Sequence, residues 1–293
     1  MYKALADAIR DAEEQRVPLS TVALELESAD QGRPVAEIRE SLARALAVMR
    51  GAVEQGMVGD LYSASGLVGG DAARLRTGPA GPLAATPFRD ILARALAVQE
   101  VNAAMGVIVA APTAGGAGVL PAVLTGLASA RGIPDEKLLD ALATAGLIGA
   151  VIAERASLSG AEGGCQAETG AGTSMAAGAS VEMLGGSPTQ AGHAVALSLQ
   201  GMLGLVCDPL GGLVELPCVY RNATGSAIAL AGIEMAMAGI TFAIPVDEVI
   251  DVMGEIGREM DVRYRETAGG GLAATPTGRR LARERLYQIK RSD

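Results

Sequence analysis

The 293-residue sequence predicts a mainly α-helical protein. Hydrophobic residues make up 49% of the chain, but there is no Trp and only two Phe, so the core must consist of Ala, Leu, Val and Met. Small residues let backbones pack closely, which favours helix-on-helix contacts over a sheet of aromatic and β-branched residues. Apolar residues also recur at helical spacing in several segments, and no strand–turn–strand pattern is visible.

Two or three packed helices are predicted for the N-terminal part, residues 1–56. The first covers residues 2–16, where apolar residues recur at helical spacing. Pro34 begins a longer helix, because proline is tolerated in the first helical turn. That helix ends near Gly56. Its apolar side is expected to face the core and consists of Val35, Ile38, Leu42, Leu46, Met49 and Val53.

The segment 57–90 is rich in Gly, Ser and Pro, and its hydrophobic residues follow no period. We predict a long loop there, with one short helix. Long irregular segments inside a compact domain are often functional. This loop is therefore a candidate functional segment.

A helical core is predicted for residues 91–265, followed by a basic C-terminal tail, residues 266–293. Within the core, the segment Gly106–Ala110 fits either a short strand or a buried helix, because periodicity cannot separate the two. The next stretch, PTAGGAG, must be a loop. We find no internal repeat and treat residues 1–293 as one domain. Core helices are predicted over 89–105, 119–131, 135–156, 172–185, 187–206 and 223–243.

Several classes of partner are excluded by composition and patterning. The net charge is −9, with 24 Lys and Arg against 33 Asp and Glu, so nucleic acid is not an expected partner. The N-terminus lacks the apolar region of a secretion signal. The apolar run between Asp140 and Glu154 is shorter than the ~20 residues that span a bilayer, so no membrane is expected. An odd number of cysteines predicts a reducing cytoplasm.

Common catalytic groups are scarce. Lys3, Lys137 and Lys290 all lie on polar stretches, and pyridoxal phosphate needs a lysine inside a pocket, so that cofactor is not expected. No phosphate-binding or dinucleotide-binding glycine motif occurs. The one histidine, His193, lies in an Ala- and Leu-rich helix, which is typical of a structural histidine. Glu168 and Glu182 are expected to be solvated helix charges rather than the catalytic base.

The three cysteines, Cys165, Cys207 and Cys218, remain as candidate functional residues. Each flanks a turn: two glycines precede the first, Asp-Pro follows the second, and Pro precedes the third. One interpretation is three buried free thiols, since free cysteine is often buried. A second is a structural zinc site completed by His193. A third is a [4Fe–4S] cluster with three cysteine ligands, whose remaining iron is an open Lewis acid.

Three motifs, APTAGGAGVLPAV, GGCQAETGAG and CDPLGGLVELPCVYRN, resemble the α chain of the iron–sulfur L-serine dehydratases in order and spacing. The resemblance covers about residues 65–275. It implies a mainly helical catalytic domain that holds an oxygen-sensitive [4Fe–4S] cluster through Cys165, Cys207 and Cys218. It also implies conversion of L-serine to pyruvate and ammonia without pyridoxal phosphate, a reaction of amino-acid catabolism that feeds gluconeogenesis.

Substrate contacts follow from the same resemblance. The loop with Thr113, Gly115 and Gly116 offers hydroxyl and backbone donors for the substrate carboxylate. Asn222 is a candidate supporting or substrate contact, and Arg221 a candidate carboxylate clamp. Each of these has a structural alternative, as a helix-capping turn or an ordinary surface residue. The catalytic base is unassigned and is expected on a partner subunit.

Fused members of that family carry a further α/β portion ahead of this region, and this sequence has none. The chain therefore resembles the α half of a two-chain enzyme that needs a β subunit. No cysteine follows Cys218, so the fourth-ligand cysteine tail of some fused members is also missing. Three competing hypotheses stay open: a cluster-dependent L-cysteine desulfidase, a non-catalytic iron–sulfur sensor, and a zinc-stabilised scaffold.

Overall fold

The computed structural model describes residues 2–83 and 87–289 and confirms a mainly α-helical fold. Within these residues there is no β-strand, and only two isolated bridges occur, Tyr62 with Gly69 and Cys207 with Arg265. The helices are α1 (Leu5–Gln15), α2 (Leu19–Gln31), α3 (Val35–Gly56), α4 (Asp71–Thr77), α5 (Pro87–Ala103), α6 (Val119–Arg131), α7 (Asp135–Arg155), α8 (Gly160–Gly163), α9 (Ala171–Met183), α10 (Pro188–Leu199), α11 (Cys218–Met237), α12 (Val246–Glu259) and α13 (Pro276–Ile289).

The centre of the fold is α9, which contacts α6, α7, α10 and α11. Almost every residue of α9 is buried, because its sequence, AGTSMAAGASVEM, consists mostly of small side chains. At Gly178 a Cβ atom would lie 2.6 Å from Ile148 of α7 and 2.8 Å from Val195 of α10. Small residues on one helix let its neighbours approach closely, and the contact side chains set the distance between axes. The expected helix-on-helix core is present.

The three N-terminal helices α1, α2 and α3 confirm the prediction for this part of the chain. Pro34 directly precedes α3, as expected. Ile38, Leu46, Met49 and Val53 are buried, while the other two members of the predicted stripe are partly buried against the core. The apolar side of α3 therefore packs inward, with α5 as one of its neighbours.

Two glycines of α3 provide a matched test of this packing. A Cβ at Gly56 would lie 2.5 Å from the carbonyl carbon of Ala97 in α5, whereas a Cβ at Gly51 would meet nothing within 4 Å. We expect Gly56→Ala to lower the free energy of unfolding by about 1–3 kcal/mol, because the α5 backbone must move. Gly51→Ala should raise it by about 0.5–1 kcal/mol through helix propensity. Urea unfolding measures both, and similar effects at the two positions would contradict this account.

The region 57–90 contains one short helix, α4, as predicted, although residues 84–86 lie outside the described residues. The alternatives for Gly106–Ala110 are both wrong, because the segment is neither helix nor strand. Helix α5 ends where Met105 adopts a positive φ of 62°. The described part of the chain offers no neighbouring strand for pairing, and Val107 is 73% exposed.

Several helix boundaries differ from the prediction. The helix expected over 187–206 is α10, which ends at Leu199. The helix expected over 223–243 is α11, which begins at Cys218 after Pro217 and ends at Met237, just before Gly239 with φ 82°. The C-terminal tail contains a helix, α13. Of the helices described, none has the length and apolar character needed to cross a membrane.

Candidate metal centre

The three cysteines are buried free thiols, with 2%, 2% and 4% of their surfaces exposed in chain order. Cys165 follows Gly164, whose φ of 75° turns the chain, and precedes a wide, π-helical turn, Gln166–Gly170. Cys207 lies in an irregular segment. Cys218 is the first residue of α11, not part of a loop. Cys165 and Cys218 thus lie at helix starts, where backbone N–H groups favour a thiolate.

Backbone hydrogen bonds hold the first two cysteine segments together. The amide of Cys207 donates to the Tyr264 carbonyl at 2.7 Å, and the amide of Glu266 donates to the Cys207 carbonyl at 2.9 Å. The amide of Gln166 donates to the Leu205 carbonyl at 3.0 Å. The segment after α12, the π-helical turn and the Cys207 segment are therefore joined.

The thiols are close enough to influence one another electrostatically. Burial raises the pKa of Cys207, and the charge of Cys165 raises it further. The same two causes raise the pKa of Cys218 to about 12, and burial raises the pKa of Cys165. The Arg221 guanidinium acts in the opposite direction on the pKa of Cys165 and of Cys218. Cys207 and Cys218 thus lie close enough to Cys165 to be affected by its charge, and one cationic side chain, Arg221, acts on two of the three thiols.

The described residues contain no group of three or more His, Cys, Asp or Glu side chains arranged to hold a metal ion. His193 lies on α10, where its Nδ1 accepts a hydrogen bond from the Phe242 amide at 3.3 Å. None of its described contacts involves a cysteine. The zinc interpretation, with His193 as fourth ligand, therefore has no preformed geometry.

Glu168 was predicted to be a solvated helix charge, and this prediction is wrong because the side chain is buried in the candidate centre. The π-helical turn directs it inward, so it is only 8% exposed. Its Oε1 accepts a hydrogen bond from the Thr113 hydroxyl at 2.7 Å, and its Oε2 lies 3.8 Å from Cys207 Sγ. Burial raises its pKa. One feature of the sequence could have identified Glu168 as a buried residue. It lies three residues after a candidate cysteine ligand, and no Lys or Arg occurs within four positions on either side of it.

Three glycine residues pack closely against Glu168. A Cβ at Gly115 would lie 2.8 Å from Oε1, and one at Gly160 would lie 2.6 Å from Oε2. A Cβ at Gly116 would lie 2.7 Å from the Glu168 backbone oxygen. Glycine permits such close backbone approach. The predicted loop with Thr113 therefore packs directly against this carboxylate.

Asn222 joins that loop to the third cysteine. Its Nδ2 donates to the carbonyls of Gly115 and Cys218 at 2.7 and 2.9 Å, and its Oδ1 accepts from the Gly118 amide at 2.9 Å. The side chain is completely buried. Asn222 therefore positions both segments, while its contact with substrate stays a prediction.

Arg221 is fixed by groups on either side of Cys207. Its Nη1 donates to the Val206 carbonyl at 2.8 Å, and its Nη2 lies 2.7 Å from Asp208 Oδ1. The other carboxylate oxygen of Asp208 accepts from the Leu272 amide at 2.6 Å. Burial would lower the Arg221 pKa, but Cys165 and Asp208 raise it on balance. The guanidinium is held charged beside the thiols, and its use as a carboxylate clamp stays a prediction.

The candidate functional loop 57–90 reaches the site through Glu215, which is buried. The hydroxyls of Ser63 and Ser65 both donate to Glu215 Oε2, the first at 2.8 Å. The Glu215 carbonyl accepts from the amide of Val219, in the first turn of α11. This loop is therefore anchored three residues before Cys218.

Alkylation should report the buried state of the thiols. In the metal-free protein at pH 8, we expect iodoacetamide to label Cys218 about 10³-fold more slowly than in urea, because the thiolate is the reactive form. A thiol whose pKa is about 12 is almost entirely protonated at that pH. Labelling should accelerate as the pH rises through 9 and 10. Mass spectrometry of peptides measures the rates, and rapid labelling of the native protein at pH 8 would contradict the burial.

Residues 14–273 match the protein family described as serine dehydratase alpha chain. The probable L-serine dehydratase alpha chain of Bacillus subtilis is 46% identical over 290 residues, which cover 97% of this chain and 95% of that protein. The L-serine dehydratase alpha chain of Peptoniphilus asaccharolyticus is 46% identical over 203 residues, which cover 68% of this chain and 70% of that protein.

A relative with a longer chain is the L-serine dehydratase of Streptomyces coelicolor. It is 43% identical over 262 residues, which cover 87% of this chain but 57% of that protein. The similarity thus extends to nearly all of an alpha chain and to little more than half of this longer relative.

Proposed function

Because this chain belongs to the serine dehydratase alpha chain family, we propose that it is the alpha subunit of an L-serine dehydratase, a lyase that converts L-serine to pyruvate and ammonia. The finer part of the proposal is a [4Fe–4S] cluster held by Cys165, Cys207 and Cys218, with no pyridoxal phosphate. The observation that supports it is the burial of all three thiols, with Cys207 Sγ 3.8 Å from Glu168 Oε2 and with the Arg221 charge acting on Cys165 and Cys218.

The chemistry of the donor set supports an iron–sulfur cluster. Cysteine thiolates are the usual ligands of such clusters. Three thiolates and the Glu168 carboxylate would place several negative charges in a buried region whose cation, Arg221, is already paired with Asp208. Buried charges need compensation, and several iron ions would provide it. The residues present therefore fit the group.

When bound, a cluster with one iron free of cysteine supplies a Lewis acid that polarises the β-hydroxyl of serine as a leaving group. The residues of this chain would bind and orient the amino acid. Arg221, held in place by Asp208, offers a planar guanidinium to the substrate carboxylate. Thr113 donates its proton to Glu168, so its free lone pairs can accept from the substrate ammonium. We assign the base that removes the α-proton to the partner chain.

We propose a β subunit as that partner. The support is the difference in coverage, since this chain spans 95% of an alpha chain but 57% of the Streptomyces relative. The additional length of that relative is a candidate for the portion that a second chain would supply here. We place the assembled enzyme in the cytoplasm, as a step of amino-acid catabolism.

The test is anaerobic purification of the chain, alone and with its candidate β chain, followed by metal analysis and assays with L-serine and L-cysteine. We expect about four irons and four sulfides per alpha chain, with a visible band near ~400 nm that bleaches in air. Pyruvate should form from serine when both chains are present. One zinc without sulfide would overturn the proposal, and turnover of cysteine alone would favour the desulfidase.

Thr113→Val separates a lyase from a non-catalytic sensor. Its hydroxyl lies at the proposed substrate position and contacts no cysteine in the described structure. A lyase should lose turnover while keeping its sulfide and the irons bound by the three cysteines. Unchanged turnover would remove Thr113 from the proposed substrate site.

A further inference from the structure

The Glu168 carboxylate is fixed on three sides without being neutralised. Thr113 donates to Oε1, and the backbones of Gly115 and Gly160 approach it closely. Within the described chain, the one hydrogen-bond donor to Oε2 is the thiol of Cys207. A cysteine must lose its proton to bind iron. Once it does, Oε2 faces a thiolate and has no donor.

Two other carboxylates lie near the thiols. Asp208 is paired with Arg221 and accepts the Leu272 amide. Glu266 is half-buried, and its charge raises the pKa of Glu168 and of Cys207. By contrast, Glu168 is only 8% exposed, and its Oε2 lies 3.8 Å from Cys207 Sγ, in the π-helical turn that directly follows Cys165.

A buried carboxylate between thiolates needs a cation beside it. Three cysteines leave one iron of a four-iron cluster without a protein ligand. Carboxylate oxygen is a ligand that iron accepts in proteins, and it exchanges more readily than thiolate.

We propose that Glu168 is the protein ligand of the iron that the three cysteines leave uncoordinated, in the enzyme without substrate. This inference rests on the proposed function and adds a ligand to it. Thr113 then acts as a positioning residue that orients the carboxylate through its hydrogen bond. The glycines at 115 and 160 leave the carboxylate room to remain in place.

The test follows retention of the fourth iron rather than turnover. The two-chain enzyme, reconstituted anaerobically with iron, is oxidised with a stoichiometric amount of ferricyanide, and EPR records the appearance of the three-iron cluster. Loss of a group that merely orients a metal ligand weakens binding about 10–100-fold. We therefore expect Glu168→Gln to lose the fourth iron at least 10-fold faster than the wild type.

Glu182→Gln is the matched control. Glu182 is also a largely buried carboxylate with a raised pKa, but its partners are the Ser20 amide and the Thr144 hydroxyl, away from the thiols. It should lose iron at the wild-type rate. Glu168→Cys should instead hold the fourth iron more firmly than the wild type, because thiolate replaces carboxylate.

The outcomes separate the two proposals. A wild-type enzyme without iron and sulfide overturns the proposed function and this inference with it. A normal wild-type cluster with equal iron loss in Glu168→Gln overturns the ligand assignment alone. If Glu168→Gln assembles no cluster, recovery of assembly in Glu168→Cys supports a ligand role, and continued failure overturns it. Mössbauer spectra with ⁵⁷Fe at the labile position should also change in Glu168→Gln and stay unchanged in Glu182→Gln.

Discussion

Cys207→Ser is expected to remove the proposed cluster and to reduce serine turnover to the background of the assay. Cys207 is 2% exposed, and its backbone is held on both sides by Tyr264 and Glu266. No spare thiol is available as a replacement, because the chain has three cysteines in total. A serine hydroxyl is a poor ligand for iron compared with a thiolate. Iron and sulfide analysis of the anaerobic two-chain enzyme measures the loss.

Folding must be separated from cluster loss in this variant. Serine is close in size to cysteine, and its hydroxyl can donate to Glu168 Oε2, the present partner of the thiol. The metal-free variant should therefore unfold within about 1–3 kcal/mol of the metal-free wild type. Full iron content and normal turnover in Cys207→Ser would remove this residue from the proposed centre.

Asn222→Asp is expected to destabilise the metal-free chain by about 3 kcal/mol or more, although the two side chains have the same shape. An aspartate still accepts from the Gly118 amide. It cannot donate to the carbonyls of Gly115 and Cys218, which then face a buried negative charge. For a chain of 293 residues we expect the melting temperature to fall by roughly 5 °C or more at pH 7.

A second polar residue on α11 provides the control. Ser226 is equally buried and makes one hydrogen bond, from its hydroxyl to the Asn222 carbonyl. Ser226→Ala should cost only about 1 kcal/mol. Lowering the pH to 5 should recover part of the loss in Asn222→Asp, because a protonated carboxyl regains one donor and burial raises its pKa. An effect no larger than that of Ser226→Ala would contradict the bridging role of Asn222.

The helices could be predicted because each depends on local information. Apolar stripes such as that of α3, and prolines such as Pro34, mark where helices begin and which side is buried. The conformation of residues 106–110 could not be predicted from such local patterns. The β-branched residues of this segment fit a strand, but a strand requires a neighbour to pair with, and tertiary structure decides whether one exists.

The candidate metal centre could likewise be predicted only in part from the sequence. The cysteines were identifiable because their residue type and surroundings are unusual in the sequence. Glu168 was not, since an acidic residue in a helical segment is ordinarily solvated. Its orientation depends on the π-helical turn Gln166–Gly170, which adds a residue to the normal spacing and directs the side chain inward. Two of the three hydrogen bonds of Asn222 likewise join segments about a hundred residues apart, which helical periodicity does not reveal.

The Cys207 segment is hydrogen-bonded to residues 264–272, which the ribosome synthesises later. Cys207 bonds to Tyr264 and Glu266, and its neighbour Asp208 accepts the amide of Leu272. A ribosome adds about 5–20 residues per second, so all three cysteines are synthesised several seconds before the segment that encloses the second of them. A nascent chain that has not reached this segment carries thiols without their final enclosure. Stable cluster insertion would thus be a post-translational event, and truncation before residue 264 would leave a chain with every proposed cysteine ligand but without the backbone ties that hold Cys207.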